Sequence, residues 1–189
     1  ATFTGSPMTA VSNSESGDKQ YYALWTVLTT ALNSSLSFNG TTSSYASIPD
    51  APALNITNAI TLEAWINPAS WIYRGTVISK ESTNRGYVLR ISSSGALSFA
   101  FGNSSSTYEI ITVSPHPLVL NQWQHIAATY DGTTMKLYRN GVQVATKAQT
   151  GAIATNTSTL DISRSSLSTS RYFNGKIDEV RVFNVALDA

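Results

Sequence analysis

Apolar and polar side chains alternate along most of this chain, and no stretch has the spacing of an amphipathic helix. The clearest example is residues 60–67, where every second position is apolar: Ile60, Leu62, Ala64 and Ile66. This pattern predicts a β-strand with one face on the core and the other towards solvent. Similar patterns recur roughly every 8 to 15 residues, which is typical of a sandwich. The chain is therefore predicted to be all-β, a two-sheet antiparallel jelly-roll sandwich.

Residues 123–144 hold three strand signals separated by two turn signals. Asp131-Gly132 ends the first strand, and Asn140-Gly141 lies where a two-residue hairpin needs positive φ. Side chains 135–138 alternate between apolar and polar, which predicts one dry face and one wet face. Residues 126–129 are apolar or small on both faces, so their strand is predicted to lie in the middle of a sheet. Together these signals predict a three-stranded antiparallel meander.

Further strands are predicted at 36–38, 44–48, 76–79, 86–91, 96–101, 108–113, 159–162 and 173–183. Residues 1–35 are predicted to form N-terminal strands and a loop, including an aromatic, β-branched strand at 21–30. In the strand at 96–101, one face carries only Ala96, Ser98 and Ala100, which predicts an open, shallow surface. No repeat or second domain is apparent, so residues 1–189 are predicted to form a single domain.

Four segments, in order along the chain, carry a family pattern. They are Leu36-Ser-Phe-Asn-Gly with Tyr45-Ala-Ser-Ile-Pro, Ile60-Thr-Leu-Glu-Ala-Trp-Ile, Trp123-Gln-His-Ile-Ala-Ala-Thr-Tyr-Asp-Gly with Met135-Lys-Leu-Tyr-Arg-Asn-Gly-Val, and Gly175-Lys-Ile-Asp-Glu-Val-Arg-Val-Phe-Asn-Val-Ala-Leu. Over residues 36–187 the chain resembles the laminin-G-like domains of the concanavalin A-like lectin/glucanase superfamily. The resemblance implies a jelly roll. It leaves function open, since this superfold hosts lectins, polysaccharide-binding modules, adhesion domains, glycosidases and lyases.

Charge and cysteine content narrow the range of partners. The net charge is +1 and only 12% of residues are charged, which argues against nucleic-acid binding because phosphate neutralisation needs clustered Lys and Arg. No apolar run approaches the roughly 20 residues of a membrane span, so no membrane insertion is expected. Without cysteine there are no disulfides or thiolate metal sites. The uncharged Ser/Thr/Asn/Gly-rich composition favours an extracellular, secreted or cell-surface location, with the chain as a monomeric module of a longer protein.

Catalytic patterns are missing from the sequence. Glycosidases need two carboxylates roughly 5 to 10 Å apart, and those of the superfamily show a Glu-x-Asp-x-x-Glu motif that does not occur here. Glu63 stands alone in its strand, and Asp178 and Glu179 are adjacent and are expected to leave opposite faces. His125 is predicted to be partly buried, and His116 to be solvated between two prolines. No catalytic residue is predicted, although two carboxylates from separate strands could still meet.

Calcium is the one metal that the resemblance implies, at the place where the entry and closing strands meet. Its predicted ligands are Asn39 and Asp178, and calcium takes six to eight oxygens. The family position at Asn39 is usually Asp, so the Asn keeps an oxygen but removes a charge. The alternative is that Asn39 forms the turn before Gly40 and Asp178 makes a hydrogen bond or ion pair. A melting temperature unchanged by chelation would count against calcium.

Sugar binding is the functional hypothesis. Sugar rings stack their C–H faces on aromatic rings, while their hydroxyls bind planar polar groups. Three candidates lie in the loop 70–74, namely Trp71, Tyr73 and Arg74. Two more, Arg90 and Tyr108, lie on or near the outward face of neighbouring strands. Ser98 is expected on that face, and Asn84 and Arg85 near it. The alternative for the loop is that Trp71 caps the core and Tyr73 packs on the edge. The remaining tryptophans are predicted to pack: Trp25, Trp65 and Trp123.

The leading hypothesis is a non-catalytic extracellular module that binds a glycan or a glycosylated surface, each site being weak and strengthened by multivalency. One alternative is a structural spacer or protein-binding adhesin domain, which the uncharged surface suits equally well. The other is a glycoside hydrolase or polysaccharide lyase of the same superfold, which would need a cleft with facing catalytic groups.

Overall fold

The computed structural model describes residues 20–22, 35–103, 108–113, 118–168 and 170–188. Thirteen strands form two antiparallel sheets, joined by loops and one short 3-10 turn at Pro52–Leu54. The prediction of an all-β, two-sheet jelly-roll sandwich is confirmed. Within the described ranges, no helix is long and apolar enough to cross a lipid bilayer.

Sheet A has seven strands, and several strands that are neighbours in the sheet come from distant parts of the chain. Their spatial order is β1 (Gln20–Tyr22), β13 (Asn174–Phe183), β4 (Ile60–Pro68), β9 (Gln124–Tyr130), β10 (Thr134–Arg139) and β11 (Val142–Ala148), with β2 (Leu36–Asn39) also paired to β13. β9 lies between β4 and β10, as its apolar faces predicted, and β9–β10–β11 form the expected meander. Of the strand predicted at 21–30, only its start is described, as part of β1.

Sheet B has six strands. Their order is β3 (Ala46–Ile48), β12 (Leu160–Ile162), β5 (Gly75–Ser82), β6 (Arg85–Ile91), β7 (Leu97–Gly102) and β8 (Tyr108–Thr112). Each of these strands was predicted, with ends that differ by a few residues. β5 is longer than predicted because it continues through Lys80 and Glu81, two charged residues that the structure buries.

The core lies between the two sheets. β4 contributes the four apolar residues that its alternation predicted, and all four are fully buried. β7 contributes Leu97, Phe99 and Phe101 from the opposite sheet. Tyr138 lies by alternation on the same side of β10 as Lys136, yet its assignment to packing holds, since it is only 6% exposed. The ladder between β10 and β11 shifts register between Leu137 and Tyr138, where β11 carries the extra residue Val144.

Antiparallel pairing places successive connections at opposite ends of the sandwich. One end, which we call the loop end, carries the segments 40–45, 69–74 and 92–96. The segment between β12 and β13 begins and ends nearer to this end, but it crosses the outer face of sheet B, where Ser165 and Ser166 bond to Glu81. The opposite end carries the segments 49–59, 83–84 and 149–159. The connections that hold Tyr45, Trp71, Tyr73 and Arg74 are therefore at the loop end.

The edge strands of the two sheets are joined by one lysine. Lys147 on β11 donates from Nζ to the backbone oxygen of Ile110 on β8 at 3.2 Å and to Glu109 Oε2 at 3.3 Å. A charged side chain that lies across an edge in this way satisfies a strand carbonyl that would otherwise face solvent.

Candidate functional site

The predicted sugar-binding loop connects β4 to β5 at the loop end. Tyr73 is 58% exposed, and the guanidinium carbon of Arg74 lies 5.2 Å from the centre of its ring. Trp71 is half-buried and packs against the core, and a Cβ on Gly95 would come within 3.0 Å of its ring. The loop therefore presents Tyr73 to solvent, while Trp71 holds the loop against the sandwich.

A second aromatic ring near this end also has an arginine side chain lying over it. Tyr45, just before β3, is 39% exposed, and the guanidinium carbon of Arg164 lies 3.7 Å from its ring centre. Arg164 donates from Nε and Nη2 to Oδ2 of Asp161, at 2.9 and 2.7 Å. Asp161 is buried, and its Oδ1 accepts hydrogen bonds from the hydroxyls of Ser47 and Thr159. The Arg164 cation is thus fixed against the Tyr45 ring before any ligand arrives.

Arg164 also lines a depression of about 600 Å³ in the segment 163–173. The lining residues are Arg164, Ser165, Ser166, Leu167, Ser168 and Tyr172. Serine hydroxyls can donate and accept, a guanidinium offers planar donors, and Leu167 is an exposed apolar contact. Asn174, just after this segment, donates from Nδ2 to Ser70 Oγ at 2.9 Å, which ties it to the Tyr73 loop. We call Tyr45, Tyr73, Arg74, Arg164 and this depression together the loop-end surface; the depression extends from that end along the outer face of sheet B, where Ser165 and Ser166 bond to Glu81.

The outer face of sheet B is closed, so the expected open surface beside Ser98 and Ala100 was wrong. Ser98 is 5% exposed and Ala100 is fully buried. Arg90, predicted on this face, is there but is only 5% exposed, with its guanidinium carbon 5.8 Å from the ring centre of Tyr108. Small residues on β7 left room, and the long side chains of the flanking strands fill it.

Glu81 is the centre of this closed face. Its Oε2 accepts a hydrogen bond from the Tyr108 hydroxyl at 2.5 Å, and its Oε1 accepts one from Ser165 Oγ at 2.5 Å. Glu81 and Tyr108 lie on one rung of the sheet, separated by Gly86 and Gly102, so no side chain stands between them. The segment 163–173 is thereby fastened onto sheet B, which makes Tyr108 a support for the loop-end surface.

Two neighbours that the sequence placed near this face lie at its far end, beside Glu81 and Tyr108. A Cβ on Gly102, which pairs with Tyr108, would come within 2.0 Å of the Asn84 backbone oxygen. Asn84 and Arg85 form the β5–β6 hairpin turn at the opposite end, where Arg85 Nη1 donates to the backbone oxygen of Thr155 at 3.4 Å. Arg90 lies further along β6, because a strand of seven residues spans about 20 Å from end to end.

The Tyr108 hydroxyl makes the free energy of unfolding depend on pH. Burial, and then the nearby Glu81 carboxylate, raise the pKa of Tyr108 far above its ordinary value of about 10. Above about pH 10 the unfolded chain loses this proton and the folded chain keeps it, so the free energy of unfolding is expected to fall as the pH rises. Urea unfolding between about pH 9 and pH 11 should show a shallower fall for Tyr108→Phe. Equal slopes for the two proteins would contradict the assignment.

The two predicted calcium ligands do not share a site. Asn39 on β2 pairs with Asn174 on β13, whereas Asp178 lies four residues further along β13, about 13 Å away at the usual rise per residue. Asn39 Oδ1 accepts from the backbone nitrogen and hydroxyl of Thr41, and Asp178 Oδ1 accepts from the backbone nitrogen of Glu179. Among the described residues, no three His, Asp or Glu side chains gather as a metal-binding group. This pair does not fit one ion, and calcium binding by the chain stays a prediction.

Glu63, alone in its strand, acquires partners from other strands. Its Oε1 accepts from Arg181 Nη1 at 2.9 Å, its Oε2 lies 3.6 Å from His125 Nε2, and the second nitrogen of Arg181 contacts Glu179. Hydrogen bonds from His125 and Arg181 lower the pKa of Glu63, although burial acts in the opposite direction. A glycosidase acid needs a raised pKa in order to carry its proton at neutral pH. This carboxylate can therefore accept hydrogen bonds but is not suited to donate a proton.

Sequence reasoning missed Tyr45, Arg164 and the polar partners of Glu63. It also assigned Trp65 and Trp123 to packing, whereas they are 40% and 41% exposed. The outward position of Trp65 was in fact readable, because it alternates with Ala64 and Ile66. The contact between Tyr45 and Arg164 was not readable, since it joins positions more than a hundred residues apart. Trp25 and His116, also assigned from the sequence, lie outside the described residues.

The chain was compared with known protein families and proteins. Residues 39–189 match the laminin G family of the concanavalin A-like lectin/glucanases superfamily. Mouse pappalysin-1 is 34% identical over 110 residues, which are 49% of this chain and 6% of pappalysin-1. Human pappalysin-1 is 50% identical over 42 residues, 22% of this chain and 3% of that protein. This chain therefore spans only a small part of the relatives it matches.

Solved structures show the same fold. A candidate carbohydrate-binding protein of Bacteroides ovatus has 27% identity and a TM-score of 0.63, over 76% of this chain and 42% of that one. Domain 4 of AbnA, an extracellular arabinanase of Geobacillus stearothermophilus solved with arabinotriose, has 21% identity and a TM-score of 0.65, over 90% and 78%. The CBM40 of a Ruminococcus gnavus sialidase, bound to sialyllactose, has 14% identity and a TM-score of 0.66, over 82% and 92%.

Proposed function

Since the chain belongs to the concanavalin A-like lectin/glucanase superfamily, we propose that it is a non-catalytic glycan-binding module of a larger extracellular protein. Its ligand lies on the loop-end surface. The observation that carries this proposal is the exposed Tyr45 ring with the Arg164 guanidinium held over it, beside the serine-lined depression. Structural neighbours solved with arabinotriose or sialyllactose, and the candidate carbohydrate-binding protein, support the same ligand class.

The chemistry of the loop-end surface suits a sugar in three ways. Tyr45 and Tyr73 offer rings for the C–H faces of a sugar. Arg164 is already fixed by Asp161, so binding orders little of its side chain and costs less conformational entropy. Ser166 and Ser168 sit at the lining of the depression, where hydroxyls can exchange hydrogen bonds with sugar hydroxyls. A shallow surface of this kind gives weak single-site affinity, which a multidomain parent would raise through avidity.

The non-catalytic part of the proposal rests on Glu63. Glu63 and Glu179 contact the same guanidinium, that of Arg181, so two carboxylates do come near one another. They are on an exposed sheet face, and the lowered pKa of Glu63 keeps this carboxylate ionised. Glu63 is therefore not suited to be the general acid that glycoside cleavage needs.

Replacing Tyr45 tests the proposed ligand surface. Tyr45→Ala should weaken binding to an array of neutral and sialylated glycans by about tenfold, because it removes the stacking ring and its contact with the Arg164 guanidinium. Leu187→Ala is the matched control, since Leu187 has a similar exposure of 37% and lies at the opposite end. Absence of retention of the unmodified chain on any glycan, with and without calcium, would refute the proposal.

A structural spacer or protein-binding adhesin is the second candidate function, and the closed outer face of sheet B favours it. Arg90, Ser98 and Asp161 are polar yet buried, so these side chains of the described strands are not open to a polysaccharide. The same glycan array separates the two functions, because a spacer retains nothing whether or not Tyr45 is present.

A further inference from the structure

A second exposed aromatic group lies on the outer face of sheet A. Residues Ala64 and Ile66 of β4 face the core, so Trp65 between them faces outward, and it is 40% exposed. Its direct cross-strand neighbours are His125 on β9 and Asp178 on β13. The Trp65 and His125 ring centres are 5.6 Å apart with planes tilted by 57°, so the imidazole meets the indole at an angle and is not stacked on it.

A β-bulge in β13 supplies the polar groups beside Trp65. Asp178 pairs with Trp65 and Arg181 pairs with Glu63, so three steps along β13 match two steps along β4. Glu179, within the bulge, has a positive φ of 49°. Without this extra residue, Asp178 and Arg181 would point to opposite faces of the sheet. The bulge turns both outward, which is how such insertions re-aim a side chain next to a binding site.

The polar groups around Trp65 are held in place by one another. Arg181 links Glu63 and Glu179, and Glu63 also faces His125. Asp178 Oδ1 accepts from the backbone nitrogen of Glu179, which fixes its carboxylate beside the indole. Carboxylates that are held in this way accept hydrogen bonds from sugar hydroxyls without a large ordering cost, and these bonds are charge-assisted.

We propose that Glu63, Trp65, His125, Asp178 and Arg181, the Trp65 surface, form a second glycan site that takes neutral sugars. A pyranose or furanose ring lies with its C–H face on the indole, and its hydroxyls donate to Asp178 and Glu63. This inference rests on the proposed function for the ligand class, but it concerns a different face of the molecule. Trp123, two residues before His125 and 41% exposed, lies on the same side by alternation and offers a second ring for a longer oligosaccharide.

The charged residues around Trp65 favour neutral sugars over acidic ones. Glu63, Asp178 and Glu179 are all near Trp65, and Arg181 is bonded to two of these carboxylates. Lys176, which pairs with Asn67, is the nearest other cation along β13 and lies two residues from Asp178. A sugar carboxylate on the indole would meet the Asp178 carboxylate at close range, and like charges repel there. The loop-end surface has the opposite character, since it presents Arg74 and Arg164.

Affinity electrophoresis of the whole chain through gels containing neutral arabinan, xylan or galactomannan, or acidic polygalacturonate, tests this site. Trp65→Ala and Asp178→Asn should each weaken binding to a retained neutral polysaccharide by about tenfold, and Trp65→Phe by less. Asn at position 178 keeps an oxygen that can accept from Glu179, so the bulge should persist. The circular dichroism and melting temperature of each variant confirm folding, which the partial exposure of both side chains favours.

Tyr45→Ala, which removes the aromatic ring of the loop-end surface, is the matched comparison. Loss of binding in Tyr45→Ala with full retention of Trp65→Ala and Asp178→Asn would overturn the second site and leave the proposed function standing. Tighter, Trp65-dependent binding to polygalacturonate would overturn the assignment to neutral sugars. If the unmodified chain is retained by none of the polymers, the second site and the proposed function both fail.

Discussion

Replacing Lys80 by alanine is expected to lower the free energy of unfolding by about 3 kcal/mol. Lys80 is only 1% exposed, and its ammonium donates to Asp50 Oδ1 at 2.7 Å and to the backbone oxygens of Asn156 and Ser158 at 2.8 and 2.9 Å. All three donors are therefore satisfied. Alanine would leave Asp50 and two carbonyls without this partner, and it would open a cavity beneath Tyr87 on the neighbouring strand.

Urea unfolding followed by tryptophan fluorescence would measure this loss. For a chain of this size the melting temperature should fall by about 6 to 12 °C. Lys80→Met separates the two causes, because methionine refills the cavity but restores no hydrogen bond. Lys176→Ala is the control for an exposed lysine and should change stability by less than about 0.5 kcal/mol. If Lys80→Met were as stable as the unmodified chain, the ammonium would not be the source of the effect.

Replacing Glu81 by alanine is expected to cost about 3 kcal/mol and to weaken the loop-end surface at the same time. The change leaves the Tyr108 and Ser165 hydroxyls buried without their acceptor, and each unsatisfied group costs roughly 1 to 3 kcal/mol. Because Ser165 belongs to the segment 163–173, its release should let the depression lose its shape. Glycan affinity should then fall even though Glu81 is too deeply buried to touch a ligand.

Glu81→Gln distinguishes a geometric role from an electrostatic one. The amide oxygen accepts one hydroxyl, and the other hydroxyl can rotate to accept from the amide nitrogen, so stability should drop by about 1 kcal/mol only. Amide hydrogen exchange of residues 163–168 should increase in Glu81→Ala and stay near the unmodified level in Glu81→Gln. Unchanged exchange in Glu81→Ala would show that other contacts hold this segment.

The sheets could be predicted from the sequence because side-chain alternation reports directly on which face is buried. Residues 60–67 show this best, since the four apolar positions of β4 are fully buried and Trp65 is exposed. The order of the strands in each sheet has no such local signal. Local turns predicted only the meander of β9, β10 and β11, with which the structure agrees.

The candidate sites were harder to predict from the sequence than the sheets, because each site depends on contacts between residues far apart in the chain. The small residues of β7 predicted an open face, but Tyr108, Arg90 and Glu81 from other strands close it. Adjacent Asp178 and Glu179 were expected to leave opposite faces of a regular strand. The bulge in β13 has no sequence signal of its own, and it brings Glu179 and Glu63 to one guanidinium.

The lysine that joins β11 to β8 has a consequence for copies arranged in tandem. An edge strand with free backbone groups can recruit the edge of a neighbouring copy and fuse two sheets into one. Lys147 occupies the backbone oxygen of Ile110 and places a charge at that border. A second copy that approaches this border therefore meets a charged side chain and a strand carbonyl that is already bonded, which disfavours the fusion of two sheets.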